Sequence, residues 1–217
     1  MQPCQWEIII LKPTRVFLSF LASQLPGIAL PDFRTLQLDP GAYVIRKCDS
    51  DEETFNEIEY HFATMFRREI QRWVAEGLRD KIEGSFLDFL CCFKFELHSR
   101  IILMEPEYKT GQHVLRIKPR SVLLTWLKSA TAEQTAFRDV LDKVTVSNLG
   151  DNCTAIVRHF TCAEEIKAFL REQYQDLFET EMFRVCEQKK DWPLVNSYQD
   201  FCRYFSVQTH TNLVHLA

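Results

Sequence analysis

Apolar side chains recur along this chain with two periods, and each period predicts a different kind of element. Residues 7–11 form a short run rich in β-branched side chains that Pro13 ends, which is typical of a buried strand. Between residues 51 and 76, large apolar side chains recur every three or four positions, which predicts a long amphipathic helix. Thr14 and Thr161 stand ahead of two further helical patterns, and each is predicted to cap its helix.

These elements give the first half of the chain the order strand, helix, strand, strand, helix, strand. The two middle strands flank Asp39–Gly41, where proline and glycine favour a tight turn, so we predict that they form a hairpin. The last strand is expected near residues 86–97. This order is that of the split βαβ arrangement, in which helices cover one face of an antiparallel sheet.

The middle of the chain alternates strictly between apolar and polar side chains. In residues 92–104 the apolar side chains share one parity, and residues 113–118 repeat the pattern. We expect the two segments to form a long central hairpin with one dry face and one polar, mainly basic face. The basic side chains of that face are Lys94, Arg100, Arg116, Lys118 and Arg120. The predicted fold class is α+β, with an antiparallel or mixed sheet and helices packed mainly on one face.

Chain length and composition place these elements in a globular protein. The 217 residues suit a single compact domain over 1–217, with a possible subdivision into 1–84 and 85–217. We identify no internal repeat and no linker. The 17 Phe and 4 Trp exclude a disordered chain, because such chains are poor in aromatic residues.

Charge, cysteines and the N-terminal residues bear on where the protein works. A formal net charge of −4 does not favour nucleic-acid binding, which depends on concentrated positive charge. The apolar residues 8–25 are interrupted by Lys12, Pro13 and Arg15, so they predict neither a membrane span nor a signal peptide. The eight cysteines form no C-x-x-C pair, which indicates reduced thiols. We therefore expect a cytoplasmic protein.

The chemically sharpest candidate lies where a predicted strand meets a helix. Cys162 is expected in the first turn of that helix, where the helix dipole favours the thiolate. His159 would serve as its base, with Asp151 or Glu165 orienting the imidazole. The alternative is that Cys162 packs under the turn and His159 faces solvent. Glycine-rich phosphate loops and nucleophile-elbow motifs are absent from the sequence.

Patterns typical of a metal site are weaker. Glu96 and His98 share one face of a predicted strand, and Glu57 and His61 are one helical turn apart. Each pair supplies two ligands without a third nearby, whereas catalytic zinc sites use three protein ligands. We therefore expect no metal and no cofactor.

Large apolar side chains outnumber what one buried face of each helix requires, which favours a protein partner. The helix after Thr161 and the segment 198–205 present wide apolar arcs. We predict that a partner is anchored by Phe169, Tyr174, Phe178, Tyr198 and Phe205. Steering of an acidic partner towards this surface is expected from Lys94, Arg116 and Lys118.

Together these features predict a non-enzymatic protein–protein interaction module, an adaptor or chaperone-like subunit of a heteromeric complex. The chain is similar to bacterial secretion chaperones in size and acidity, although no motif joins it to that family. One alternative is a cysteine-dependent enzyme that uses Cys162 with His159. A second alternative is a protein that binds an anion or a nucleic acid through its basic central strands.

Overall fold

The predicted α+β class is confirmed by a computed structural model, which describes residues 5–79, 82–104, 111–130 and 142–216. The strands build two mixed four-stranded sheets and are β1 (Trp6–Pro13), β2 (Gly41–Arg46), β3 (Phe93–His98), β4 (Ile101–Leu103), β5 (Gln112–Pro119), β6 (Ala155–His159), β7 (Phe205–His210) and β8 (Leu213–His215). The helices of the described residues are α1 (Arg15–Gln24), α2 (Phe33–Leu36), α3 (Asp51–Trp73), α4 (Glu76–Arg79), α5 (Phe86–Cys92), α6 (Ser121–Ala130), α7 (Val146–Gly150), α8 (Ala163–Val185) and α9 (Tyr198–Tyr204).

Each sheet packs against helices on one face and against the other sheet on its opposite face. The first sheet has the strand order β3-β1-β2-β8 and the second has the order β4-β6-β5-β7. Ile9 and Tyr43 lie in the core between the first sheet and its helices, and Leu115 and Ile156 lie in the equivalent core of the second. A third apolar cluster joins the two sheets and consists of Ile8, Ile10, Ala42, Val44, Val114, Ala155 and Val157.

The predicted helices form, and their N-terminal caps explain where they begin. Ser50 caps α3 by accepting a hydrogen bond from a backbone N–H of its first turn, and Thr14 caps α1 in the same way. Cys162, rather than Thr161, is the N-cap residue of α8. Thr161 instead donates from its N–H and its hydroxyl to Glu165, both at 2.8 Å. Among the helices of the described residues, none is long and apolar enough to cross a membrane.

Both hairpins expected from the sequence are wrong. Residues 33–36 form α2, capped by Asp32, so β2 pairs with β1 and β8 rather than with a strand across Asp39–Gly41. In place of the central hairpin, β3 pairs with β1, whereas β5 pairs with β6 and β7. Residues 86–92 form α5 because Ser85 begins a capping box. Alternation indicates a strand with one buried face, but it does not select the neighbouring strand.

The two halves of the chain repeat one structural unit, so our reading of the sequence as free of repeats is also wrong. Four elements of the first half recur in the second half with the same length and a shift of 112 residues, so that Asp51 corresponds to Ala163. The corresponding pairs are α3 and α8, α5 and α9, β3 and β7, and β4 and β8. β1 and α1 recur as β5 and α6 with a shift of 106, which carries Trp6 onto Gln112. The repeat escapes inspection of the sequence because few identical residues carry it.

Each half places its last strand in the sheet of the other half. β4 lies parallel to β6, and β8 lies parallel to β2. His98 Nδ1 lies 3.0 Å from the carbonyl oxygen of Cys153, and His210 Nδ1 lies 3.0 Å from that of Pro40. The residue after each histidine donates its backbone N–H to a side chain of the other half, in the pairs Ser99–Asn152 at 2.8 Å and Thr211–Asp39 at 3.0 Å. The exchange is therefore reciprocal and uses matching contacts.

A buried glutamate on each long helix holds that helix to its own sheet. Glu181 accepts hydrogen bonds from the Thr154 N–H at 2.7 Å and from Arg184 Nε at 3.1 Å. At the matching position of the first half, Glu69 accepts a hydrogen bond from the Tyr43 hydroxyl at 2.6 Å. Burial raises the pKa of Glu69 above its ordinary value. These carboxylates satisfy groups that would otherwise be buried without partners.

We expect Glu181→Ala to lower the free energy of unfolding by about 3–5 kcal/mol, because it removes the carboxylate that pairs with Arg184 and leaves the buried Thr154 N–H without its acceptor. Urea unfolding followed by circular dichroism measures this loss. The control is Glu164→Ala on the same helix, whose side chain is 79% exposed, and its effect should stay within about 0.5 kcal/mol. Equal effects for the two variants would contradict the structural role of Glu181.

Candidate interaction surface at the edge of the first sheet

β3 is an edge strand of the first sheet. Within the described residues it pairs with β1 alone, in a register that runs from Pro13 opposite Phe93 to Ile8 opposite His98. Its other edge carries backbone N–H and C=O groups that no strand of the described chain pairs with. Such edges are places where a further strand can bind.

An apolar groove of about 200 Å³ lies beside this edge, between β3 and α3. We call it the β3 groove, and its lining residues are Ile9, Asp51, Thr54, Phe55, Ile58, Phe95 and Leu97. Phe55 is 45% exposed and Leu97 is 36% exposed, so large apolar side chains face solvent at both walls. The Phe55 ring is held in place by the Phe86 ring, whose centroid lies 5.5 Å away.

The internal repeat supplies a comparison for the β3 groove within the same molecule. The 112-residue shift places Lys167 at the position of Phe55 and Thr209 at the position of Leu97. The buried position is retained as an apolar residue in both halves, since Ile58 corresponds to Leu170 and both belong to cores. The fold therefore requires an apolar side chain at the buried position but not at the two exposed ones.

The surroundings of the β3 groove are acidic. Three acidic residues share the face of α3 that carries Phe55, because each lies three or four positions from it along the helix. They are Asp51, Glu52 and Glu59. Between Lys47 and Arg67 there is no Lys or Arg. The matching stretch of α8 contains Lys167 and Arg171 among its acids. The cluster of acidic side chains on the helix beside the groove is thus a property of the first half.

A second hollow, of about 320 Å³, lies against the same strand. It is lined by residues 95–99 of β3 and the turn after it, and by residues 150–152 at the end of α7. Asp151 is exposed there and adds another carboxylate near the strand edge. The β3 edge is therefore open to solvent in two hollows of the surface.

The polar side chains of β3 and β5 meet between the two sheets. Arg116 is 1% exposed, forms an ion pair with Glu96 and donates a hydrogen bond to Gln208 Oε1 at 2.8 Å. Lys12 also forms an ion pair with Glu96, and burial lowers the pKa of Lys12 to about 8. The solvated basic face expected from the sequence is therefore wrong for Arg116, because a second sheet covers it. Of its predicted neighbours, Lys94 is exposed and Lys118 is half-buried.

The predicted partner anchors lie mainly in the core of the second half. Phe205 is fully buried, and Phe169 and Phe178 are each 6% exposed. Tyr174 and Tyr198 are half-buried, and the Tyr174 hydroxyl donates to the Asn196 carbonyl oxygen at 3.0 Å. The arc of apolar side chains on α8 is thus largely used to cover its own sheet. Binding of a partner through these five residues stays a prediction.

The candidate catalytic residues lie near the start of α8. Cys162 is exposed at the N-cap position, and His159 ends β6. Asp151 precedes β6 and His159 ends it, so the length of the strand, about 13 Å, lies between them. Asp151 therefore does not orient the His159 ring. Glu165 accepts hydrogen bonds from Thr161, which lower the pKa of its carboxyl group. Catalysis by Cys162 stays a prediction.

Thiols and metal-binding groups are scattered. The cysteines of the described residues are free, and Cys4 lies outside those residues. Within the described residues, no group of three or more His, Cys, Asp or Glu side chains could hold a metal ion. His98 Nε2 lies 3.9 Å from Glu96 Oε2, and His61 packs edge-on against the ring of Tyr60.

Sequence reasoning missed the β3 groove because it placed the surplus apolar surface on the helix after Thr161 and on residues 198–205, and assigned the apolar residues of α3 and β3 to the core. Phe55 belongs to the predicted helix stripe, and Leu97 belongs to the predicted dry face of a strand. The repeat is the signal that would have separated them, because Lys167 and Thr209 occupy the matching positions. No family model, curated protein or solved structure matches the chain.

Proposed function

We propose that the chain is a non-enzymatic protein-interaction module, an adaptor or chaperone-like subunit that buries the β3 groove against a partner protein. The observation that carries the proposal is the exposure of Phe55 and Leu97 at positions where the second half of the same molecule has Lys167 and Thr209. An exposed aromatic side chain costs solubility, so its presence at a position that does not need it favours a binding role.

The chemistry around the groove supports binding rather than catalysis. The groove holds one carboxylate, Asp51, and otherwise apolar side chains and Thr54, so it lacks a nucleophile with a neighbouring base. Its aromatic and aliphatic walls match the anchors that dominate protein interfaces. The acidic residues of α3 surround it as a polar rim.

Photo-crosslinking in cells that produce the chain tests the proposal. We expect p-benzoylphenylalanine at position 55 to yield a discrete adduct with a partner protein, because that side chain would lie inside the interface. The same substitution at position 167, its counterpart on α8, should yield no such adduct. With the partner identified, Phe55→Ser should raise Kd about thirtyfold, which corresponds to about 2 kcal/mol for a central aromatic anchor.

Two outcomes would contradict the proposal. One is the same set of adducts from positions 55 and 167, which would indicate random collisions at the surface. The other is an adduct from position 55 that persists unchanged when Leu97→Glu places a charge in the groove. Thr209→Glu is the matched control and should leave the adduct intact.

A further inference from the structure

We propose that the partner supplies an extended, basic segment that adds to the open edge of β3 as a fifth strand and inserts apolar side chains into the β3 groove. This inference rests on the proposed function and names the partner chemistry that the groove would recognise. It follows from three observations, which concern the strand edge, the groove beside it and the charge around it.

The first observation is that β3 is the strand edge best suited to pairing. The two sheets end in β3, β8, β4 and β7. β4 and β8 have three residues each, and very short edge strands resist pairing. β3 and β7 have six residues each; β3 has the apolar groove beside it, whereas Lys167 and Thr209 occupy the matching positions beside β7. Alternate residues of an edge strand direct their N–H and C=O groups outwards, where an added strand satisfies them.

The second observation is the position of the groove relative to that edge. Phe95 and Leu97 belong to the helical side of β3 and form one wall of the groove, while Phe55 on α3 forms the other. An added strand lies about 4.8 Å from β3, and every second side chain points to the same face as Phe95 and Leu97. Those side chains would therefore lie next to Phe95 and Leu97 and reach into the groove from its outer side, opposite Ile9 of β1, which also lines it. A helix in the groove would leave the outward backbone groups of β3 unpaired.

The third observation is the charge around the groove. Asp51, Glu52 and Glu59 lie on the face of α3 that carries Phe55, and Asp151 lies beside the other hollow of the edge. Lys or Arg side chains that flank the added strand would pair with these carboxylates. A second copy of this chain is disfavoured as the occupant, because joining two β3 edges in one antiparallel sheet would place both α3 helices, with their carboxylates, on the same face of that sheet.

Fluorescence anisotropy with the full chain and three short labelled peptides tests this inference. The first peptide alternates Val and Thr with two Lys at each end, the second has Glu in place of Lys, and the third has a central Pro. We expect the Lys-flanked peptide to bind at low salt, and the other two to bind at least about tenfold more weakly. Binding should also slow amide hydrogen exchange in β3.

Variants of the chain locate the site. Leu97→Glu should weaken binding of the Lys-flanked peptide at least about tenfold, whereas Thr209→Glu at the matching position of β7 should change it less than about twofold. Phe55→Lys installs the residue found at position 167 on an exposed helical position and should weaken binding with the fold intact. Circular dichroism of each variant confirms that intact fold.

Equal binding of the Lys-flanked and Glu-flanked peptides would overturn the inference, as would insensitivity to Leu97→Glu. A dimer of the chain that Leu97→Glu disperses, with no peptide binding, would assign the edge to a second copy instead. If no peptide binds while the adduct from position 55 remains, strand addition is wrong and the proposed function stands. If the adduct is missing as well, both are wrong.

Discussion

Lowering the pH from 6.5 to about 4 should destabilise the folded chain steeply, through the two histidines that hold the exchanged strands. Burial lowers the pKa of His98 and of His210 to about 4, from an ordinary value of 6.5. Between these pH values the unfolded chain therefore binds a proton at each of the two histidines, whereas the folded chain does not. The histidines' contribution to stability is complete above pH 6.5 and is lost as the pH falls towards 4, at up to about 2.7 kcal/mol per pH unit.

Urea unfolding at several pH values between 7.5 and 4.5 measures this slope, and the double variant His98→Asn, His210→Asn isolates its cause. Asparagine retains a donor for the carbonyl oxygens of Cys153 and Pro40 but does not titrate. The variant should be less stable at pH 7.5 and have a much shallower slope. His61→Asn on the surface of α3 is the control and should keep the steep slope. An unchanged slope in the double variant would refute the assignment.

Separated halves of the chain should not fold on their own. A first half ending at residue 104 would lose β8 from its sheet, and a second half starting at residue 111 would lose β4. Each would also expose its part of the apolar cluster between the sheets, in which all seven side chains are at most 1% exposed. Exposing them costs on the order of 10 kcal/mol, which is comparable with the whole stability of a domain.

Circular dichroism and amide hydrogen exchange of the two halves, alone and mixed in equal amounts, check this expectation. Each half alone should be largely unfolded, and the mixture should recover the helix content of the intact chain. A first half that ends at Ser99 lacks β4 and should fail to complement the second half. A stable folded monomer of either half would show that the strand exchange contributes little.

The repeat separates residues that both halves share from residues that only one half has. Residues that the fold needs occur in both halves: His98 and His210 join one half to the other, and the buried Glu69 and Glu181 each hold a long helix to its own sheet. The exposed apolar side chains of the β3 groove occur in the first half alone, since Lys167 and Thr209 replace Phe55 and Leu97 in the second. The two classes can therefore be separated by mutation, with stability following the first and binding following the second.

The amino-acid sequence by itself determined the class of the fold and the places of most elements. The apolar period between residues 51 and 76 predicted α3, and the run 7–11 predicted β1. The Thr14 cap was also predicted. These features depend on neighbours a few residues apart, because helix periodicity and capping are local interactions. Single-sequence reasoning is strongest for such interactions.

Only the tertiary structure decided which strands pair, which apolar residues stay exposed and where Arg116 resides. Pairing of β4 with β6 joins residues more than fifty positions apart, and no local pattern records that choice. The alternation around Arg116 is the same whether water or a second sheet covers the polar face, and here a sheet covers it. Exposure of Phe55 likewise follows from the groove that separates α3 from β3, so a candidate binding surface became visible only when both were placed together.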